Sequence, residues 1–182
     1  TLEITYKDMK FIETPLKGAY VVELEKREDE RGFFARAFCV DEFAAHGLNT
    51  TVKQSNLSGS AQKGTTRGLH YQVSPMGEVK FIRCIKGAVF DVLVDMRPES
   101  STYKQWFGLE LSADNQKAIY IPEGFAHGHQ TLEDDSQIMY LTSQVYSPEH
   151  ERGVRWDDPA IHVQWPLTPT VVSDKDQTWP LI

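Results

Sequence analysis

The feature that most constrains this chain is a succession of short runs rich in β-branched and aromatic residues, each cut off by a turn signal. Val79–Ile85 alternates and stops at Lys86-Gly87, and Ala88–Asp95 follows and ends at Arg97-Pro98. Trp106–Leu111, Lys117–Ile121 and Gln137–Thr142 continue the series, with Pro122-Glu123-Gly124 closing the fourth run. Runs this short, separated by Gly, Pro, Asp and Ser, predict a β-sandwich or barrel. One helix is expected, near Asp41–His46, where Val40-Asp41-Glu42-Phe43-Ala44-Ala45 leads to a stop at Gly47. The expected fold is all-β with short helical additions.

A chain of 182 residues with 40% hydrophobic and 25% charged side chains can bury one sizeable core. It is read as a single domain over residues 1–182. Its Pro-rich segment 156–182 still carries Trp156, Trp165 and Trp179, so it is expected to pack on the barrel. A net charge of −7 argues against nucleic acid or an anionic membrane as a partner, while leaving room for a local basic pocket. The longest apolar run, Ala88–Val94, is interrupted by Asp91 and too short to cross a bilayer. The first eight residues, Thr1 to Asp8, show no charged-then-apolar signal pattern. Cys39 and Cys84 stand outside any C-x-x-C arrangement. Free thiols, a cytoplasmic location and no structural zinc are therefore expected.

Two segments concentrate chemistry. One is Gly64-Thr-Thr-Arg67-Gly68-Leu-His70-Tyr71-Gln72, running on to Lys80; the other is Ile121-Pro122-Glu123-Gly124-Phe125-Ala126-His127-Gly128-His129. Each sets a histidine just after a Gly-containing turn, where a strand would point it into a barrel mouth. Imidazole can take and return a proton near neutrality. A lone histidine is more often a structural hydrogen bonder, but two beside Arg67 and Lys80 argue for a site. Cations with no visible carboxylate neighbour imply an anionic ligand.

The spacing Pro122-x-Gly124-x-x-His127 is similar to the second cupin motif, and Gly64 with His70 resembles the opening of the first. Gln72 stands where a second ligand histidine is expected. His127-x-His129 on a strand shares one face, so a metal-dependent oxygenase or isomerase using His70, His127, His129 and Glu78 is the alternative reading. Repulsion by Lys80 and Arg67 weighs against it, and no metal is expected.

A larger set of motifs resembles one family. It comprises Asp29-Glu30-Arg31-Gly32-Phe33-Phe34, Gln54-x-Asn56-x-Ser58, Arg67-Gly68-Leu-His70-Tyr71-Gln72, Lys80-Phe-Ile-Arg83 and Val89-Phe90-Asp91-Val92. Ile121 to Gly128, Trp156-Asp157-Asp158-Pro159 and Ser173-Asp174-Lys175-Asp176 follow in order. Together they are similar to the dTDP-4-dehydrorhamnose 3,5-epimerases and related nucleotide-sugar epimerases. The resemblance implies a cupin-like double-stranded β-helix, or jelly roll, that works without cofactors.

It also implies roles. His70 would be the general base with Asp176 as its partner, Tyr140 the general acid on the opposite sugar face, and Lys80 the contact to the keto oxygen. A 4-keto group acidifies the hydrogens on C3 and C5, because the carbanion delocalises onto oxygen as an enolate. Arg67 would hold the substrate's diphosphate, with Arg31 reaching over from the partner of a homodimer. Gln54, Asn56, Phe33, His127 and Lys175 would line the sugar and nucleotide site, with Asp91 behind His127. From the residues alone, Asp176 reads as a surface charge. Three positions depart from the pattern. His129 and Leu141 stand where an aromatic and a lysine are usual, and Val145 where some members stack an aromatic on thymine. A CDP- or GDP-sugar mono-epimerase is the alternative within the resemblance.

Overall fold

The computed structural model describes residues 9–182; the stretch read above for a signal pattern lies outside the described residues. Thirteen strands occur in chain order: β1 Met9–Glu13, β2 Tyr20–Leu24, β3 Arg27–Asp29, β4 Gly32–Phe34, β5 Gln54–Ser60, β6 Thr66–Gln72 and β7 Lys80–Lys86. Then come β8 Ala88–Asp95, β9 Trp106–Ser112, β10 Ala118–Ile121, β11 Phe125–Thr131, β12 Ser136–Thr142 and β13 Glu151–Gly153. The five runs read from sequence are β7, β8, β9, β10 and β12. The expected helix is α1, Val40–Ala45, followed by Gly47 at φ +71°. A second helix, α2, spans Asp174–Gln177.

Two antiparallel sheets make the jelly roll. One has the order β1-β2-β10-β7-β12-β5, the other β13-β6-β11-β8-β9. Strand alternation sorts the apolar side chains into three layers. Ile82, Cys84, Val89, Leu93, Leu111, Ile119 and Ile138 fill the space between the sheets. Phe81, Val22, Ala118 and Tyr120 point out of the larger sheet onto Phe43 of α1. Val92, Val94, Leu69 and Ala126 leave the smaller sheet on its outer side, where Val154, Ile161 and Trp165 cover them.

The segment after β13 is tied down by hydrogen bonds as well as by packing. Trp165 donates its indole N–H to the Trp156 carbonyl at 2.8 Å. Gln130, near the end of β11, exchanges two 2.9 Å hydrogen bonds with the backbone of Leu167. Thr66 N–H reaches the Val171 carbonyl at 2.9 Å, which carries the chain along β6 into α2. By contrast, β3 and β4 pair only with each other, and every residue of both strands is exposed. Among the described residues no helix is long and apolar enough to cross a membrane.

Candidate active site

Register places the site. Across the larger sheet, Tyr140 of β12 sits opposite Asn56 of β5 and Ile82 of β7, and Thr142 opposite Gln54 and Lys80. With a side-chain period of two, Gln54, Asn56, Lys80 and Tyr140 share the face that carries Ile82, the inner face. In the smaller sheet His70 of β6 faces His127 of β11, while Arg67 faces His129, itself opposite Asp91 of β8. Asp91 lies between Val89 and Leu93, both in the layer between the sheets. Two polar patches therefore meet at one end of an otherwise apolar interior.

Between them lies a cavity of about 260 Å³ lined by Arg67, His70, Lys80, His127, His129, Tyr140, Lys175 and Asp176. A second cavity of about 400 Å³ shares His70, Lys80 and Tyr140 and continues past Gln54, Asn56, Tyr71 and Glu151.

β6 and β11 come unusually close here. Gly68 has φ +111°, and a Cβ on it would lie 2.6 Å from both Gly128 Cα and the His127 carbonyl oxygen. The register slips between His127 and His129 at this crossing. Beneath it, α2 delivers Asp176, buried to 3% exposure, and Ser173 Oγ caps the helix by accepting from Asp176 N–H at 3.2 Å. One carboxylate oxygen of Asp176 accepts from Gly68 N–H at 3.2 Å, and the other is hydrogen-bonded to His70 Nε2. Burial alone would raise the Asp176 carboxyl, but the hydrogen bond and charge of His70, with the Gly68 and Ser173 hydrogen bonds, hold it below the ordinary value. A carboxylate on one ring nitrogen fixes the tautomer and leaves Nδ1 free to take a proton.

Opposite, burial raises the Tyr140 hydroxyl and the negative charge of Glu78 adds to this, so it stays a proton-bearing phenol at neutral pH. Lys80 Nζ is ion-paired with Glu78, both side chains nearly enclosed. Arg67 is steadied by Ser60 Oγ and the Gly59 carbonyl, each 3.0 Å away. His127 Nε2 and Asp91 Oδ2 hydrogen-bond at 2.8 Å. His129 is driven from 6.5 to about 3, chiefly by burial and then by the positive neighbours His127, Arg67 and His70. The set brings a carboxylate-held imidazole, a phenol that keeps its proton and several cations around one cavity. Such an arrangement can move protons on carbon next to a carbonyl.

The model of the family described as dTDP-4-dehydrorhamnose 3,5-epimerase matches residues 13–182. The chain belongs to this family. A dTDP-4-dehydrorhamnose 3,5-epimerase from Methanothermobacter thermautotrophicus is 42% identical over 176 residues, 94% of each chain. The Bacillus anthracis dTDP-4-dehydrorhamnose 3,5-epimerase crystal structure, with TDP and PPi bound, superposes with a TM-score of 0.92 at 41% identity, covering 96% of this chain and 99% of that one. The Legionella pneumophila enzyme in complex with dTDP-4-keto-L-rhamnose gives 0.89 at 37% identity, with coverages of 95% and 92%.

Family membership does not by itself locate each residue named from sequence. His70, Lys80, Tyr140, Asp176, Arg67, His127 and Lys175 converge on the first cavity, and Gln54 and Asn56 on the second. Asp91 stands behind His127. Arg31 and Phe33 do not join them within this chain. Arg31 is paired with Asp29 on the β3–β4 turn, its side chain 83% exposed, and Phe33 is 52% exposed.

One expectation is corrected. Lys80 does have a carboxylate neighbour, because Glu78 lies two residues before it and extended backbone returns to the same side every second residue. Of the residues in the alternative metal set, His70 is engaged by Asp176 and Glu78 by Lys80. Sequence reasoning missed Glu151, which pairs with Lys175, and the cap Ser173. It did not see the Gly68–Gly128 crossing either. A glycine at each of positions 68 and 128 was the available signal for it.

Proposed function

We propose that this chain converts dTDP-4-dehydro-6-deoxy-D-glucose to dTDP-4-dehydro-L-rhamnose by epimerising C3 and C5 through an enolate, without a cofactor. The observation that carries the reading is buried Asp176 paired with His70, which faces Tyr140 across a cavity that also holds Lys80. His70 Nδ1 removes the proton from C3 or C5, and the electron pair moves onto the 4-keto oxygen. Lys80 leaves Glu78 to meet that oxygen as it becomes negative; a donor aimed at a developing oxyanion is commonly worth about 3–4 kcal/mol. Tyr140 returns a proton from the other face. His127 and Asp91 support the floor behind the lysine.

Arg67 takes the diphosphate, for which a planar guanidinium is suited, with Gln54, Asn56 and Lys175 adding hydrogen bonds. We further read the protein as a homodimer in which the exposed β3–β4 hairpin carries Arg31 and Phe33 to the partner's cavity. Their exposure supports this, since neither lines the cavities of its own chain. Residues 1–182 are read as one domain whose segment 156–182 completes the site through Asp176. The free thiols Cys39 and Cys84 favour a cytoplasmic location.

Proton NMR in D2O with dTDP-4-keto-6-deoxyglucose tests the reading. Deuterium is expected at both C3 and C5, and His70→Ala is expected to abolish both exchanges. Exchange at one carbon would make the protein a mono-epimerase. No exchange with this sugar, followed by exchange with its CDP or GDP counterpart, would change the base, and exchange that survives in His70→Ala would remove His70 as the base.

A further inference from the structure

One polar side chain of the first cavity is left without a partner or a role. His129 is buried to 5% exposure, yet its imidazole makes no hydrogen bond to the described residues. His127, two residues earlier on β11 and so on the same side of the strand, commits its Nε2 to Asp91 at 2.8 Å. The two rings stand side by side, centroids 6.2 Å apart and planes at 28°. A neutral imidazole carries one donor and one acceptor, and buried groups of this kind are nearly always paired. The partner of His129 therefore comes from the cavity that it lines.

Register fixes where on the wall this imidazole stands. His129 is opposite Arg67 of β6, and His127 is opposite His70. The wall thus runs from Arg67 with His129 to His70 with His127, and all four side chains line one cavity of about 260 Å³. On the epimerase reading, Arg67 holds the diphosphate attached to C1 and His70 takes the proton from C3. C2 is the ring carbon bonded to both, so its substituent lies along the stretch of wall that His129 occupies.

We infer that His129 recognises the C2 hydroxyl of the hexose, so that the protein selects 4-keto-6-deoxy sugars that keep this hydroxyl over their 2-deoxy counterparts. The inference rests on the epimerase reading and adds a substrate class to it. A hydroxyl both donates and accepts, so it pairs with either tautomer of the imidazole. A 2-deoxy sugar brings only C–H groups to the same stretch of wall. It would shut His129 in without a partner, which is how a buried hydrogen-bonding group rejects an analogue that lacks its mate. His129 moves no proton in this scheme; it decides which sugar is held in place for His70.

Kinetics with a 4-keto-6-deoxyglucose nucleotide and its 2-deoxy analogue, on the base that the D2O experiment selects, test the inference. The wild-type kcat/KM is expected to be about 10–100-fold lower for the 2-deoxy sugar. In His129→Phe, which keeps a ring of similar size, the preference is expected to shrink to less than about threefold. His129→Met, also apolar and adaptable in packing, makes the same test should the Phe variant fail to fold. Any effect of the missing hydroxyl on the acidity of the C3 hydrogen is common to wild type and variant, so it cancels when their preferences are compared. Equal kcat/KM for the two sugars in the wild type overturns the inference. So does a preference that persists in a folded variant, which would hand the hydroxyl to another lining group such as Ser58. Both results leave the epimerase reading standing, because exchange on the 2-hydroxy sugar is measured independently; no exchange with any of the sugars overturns both.

Discussion

Tyr140 and Asp176 do opposite things with burial. Tyr140 is pushed up by desolvation, and Glu78 pushes the same way, so the phenol keeps its proton and can give it. Tyr140→Phe is therefore expected to separate two events that the wild type couples. Deuterium should still enter the sugar from the His70 side, while inverted product falls by about 10²–10⁴-fold. Deuterium content and product configuration, measured in one NMR series, check this. Asp176 is pushed up by burial too, but hydrogen bonding to His70, Gly68 and Ser173 holds it below 3.8. A carboxylate lowered in the folded state contributes stability that is fully present above its ordinary value and lost as pH falls through the folded one. Melting temperature should therefore drop below about pH 4, and Asp176→Asn should flatten that part of the curve. His70, Arg67 and Lys80 were visible in the sequence because Gly turns and strand patterning frame them. Asp176 was reached only through the family resemblance, because Asp174-Lys175-Asp176 has the composition of a solvated turn and its partner lies 106 residues away.

At the scale of elements, β7, β8, β9, β10 and β12 announced themselves through apolar runs. β5 did not. Its sequence, Gln-Ser-Asn-Leu-Ser-Gly-Ser, inverts the usual rule: Leu57 is 70% exposed, while Gln54 and Asn56 face inward. The inversion arises because this edge strand borders a polar cavity and not the core, so hydrophobic periodicity reads it backwards. The β6–β11 crossing was equally silent, since closeness of two backbones leaves no trace beyond a glycine on each. Gly68→Ala is expected to destabilise the protein by more than about 1 kcal/mol, because the methyl meets backbone and the residue must hold φ +111°. A lower melting temperature together with a larger loss of kcat than of affinity would be the signature. The strand that shifts carries His70, and its Gly68 N–H holds Asp176.

For the whole molecule, a charge of −7 coexists with a cavity bearing Arg67, Lys80 and Lys175. An acidic surface around a cavity where Glu78 and Glu151 balance Lys80 and Lys175 and Arg67 lines the wall suits a small phosphorylated substrate better than a polyanion. The dimer reading has its own test in subunit mixing. Arg31→Ala and His70→Ala should each be nearly inactive alone. Random co-assembly should restore about a quarter of the wild-type activity, because one site of each mixed dimer combines the intact His70 with the partner's intact Arg31. Mixtures that stay inactive, with subunit exchange demonstrated, would confine Arg31 to its own chain.

The 106-residue separation between His70 and Asp176 also sets an order in time. At about 5–20 residues per second, a ribosome releases the strand bearing His70 roughly 5–20 s before it has made Asp176. During that interval the emerging barrel can collapse around an imidazole that nothing yet orients. With His70 as the base, a nascent chain is thus inert toward the sugar nucleotide until Asp176 has been translated, and one terminated before that residue stays so.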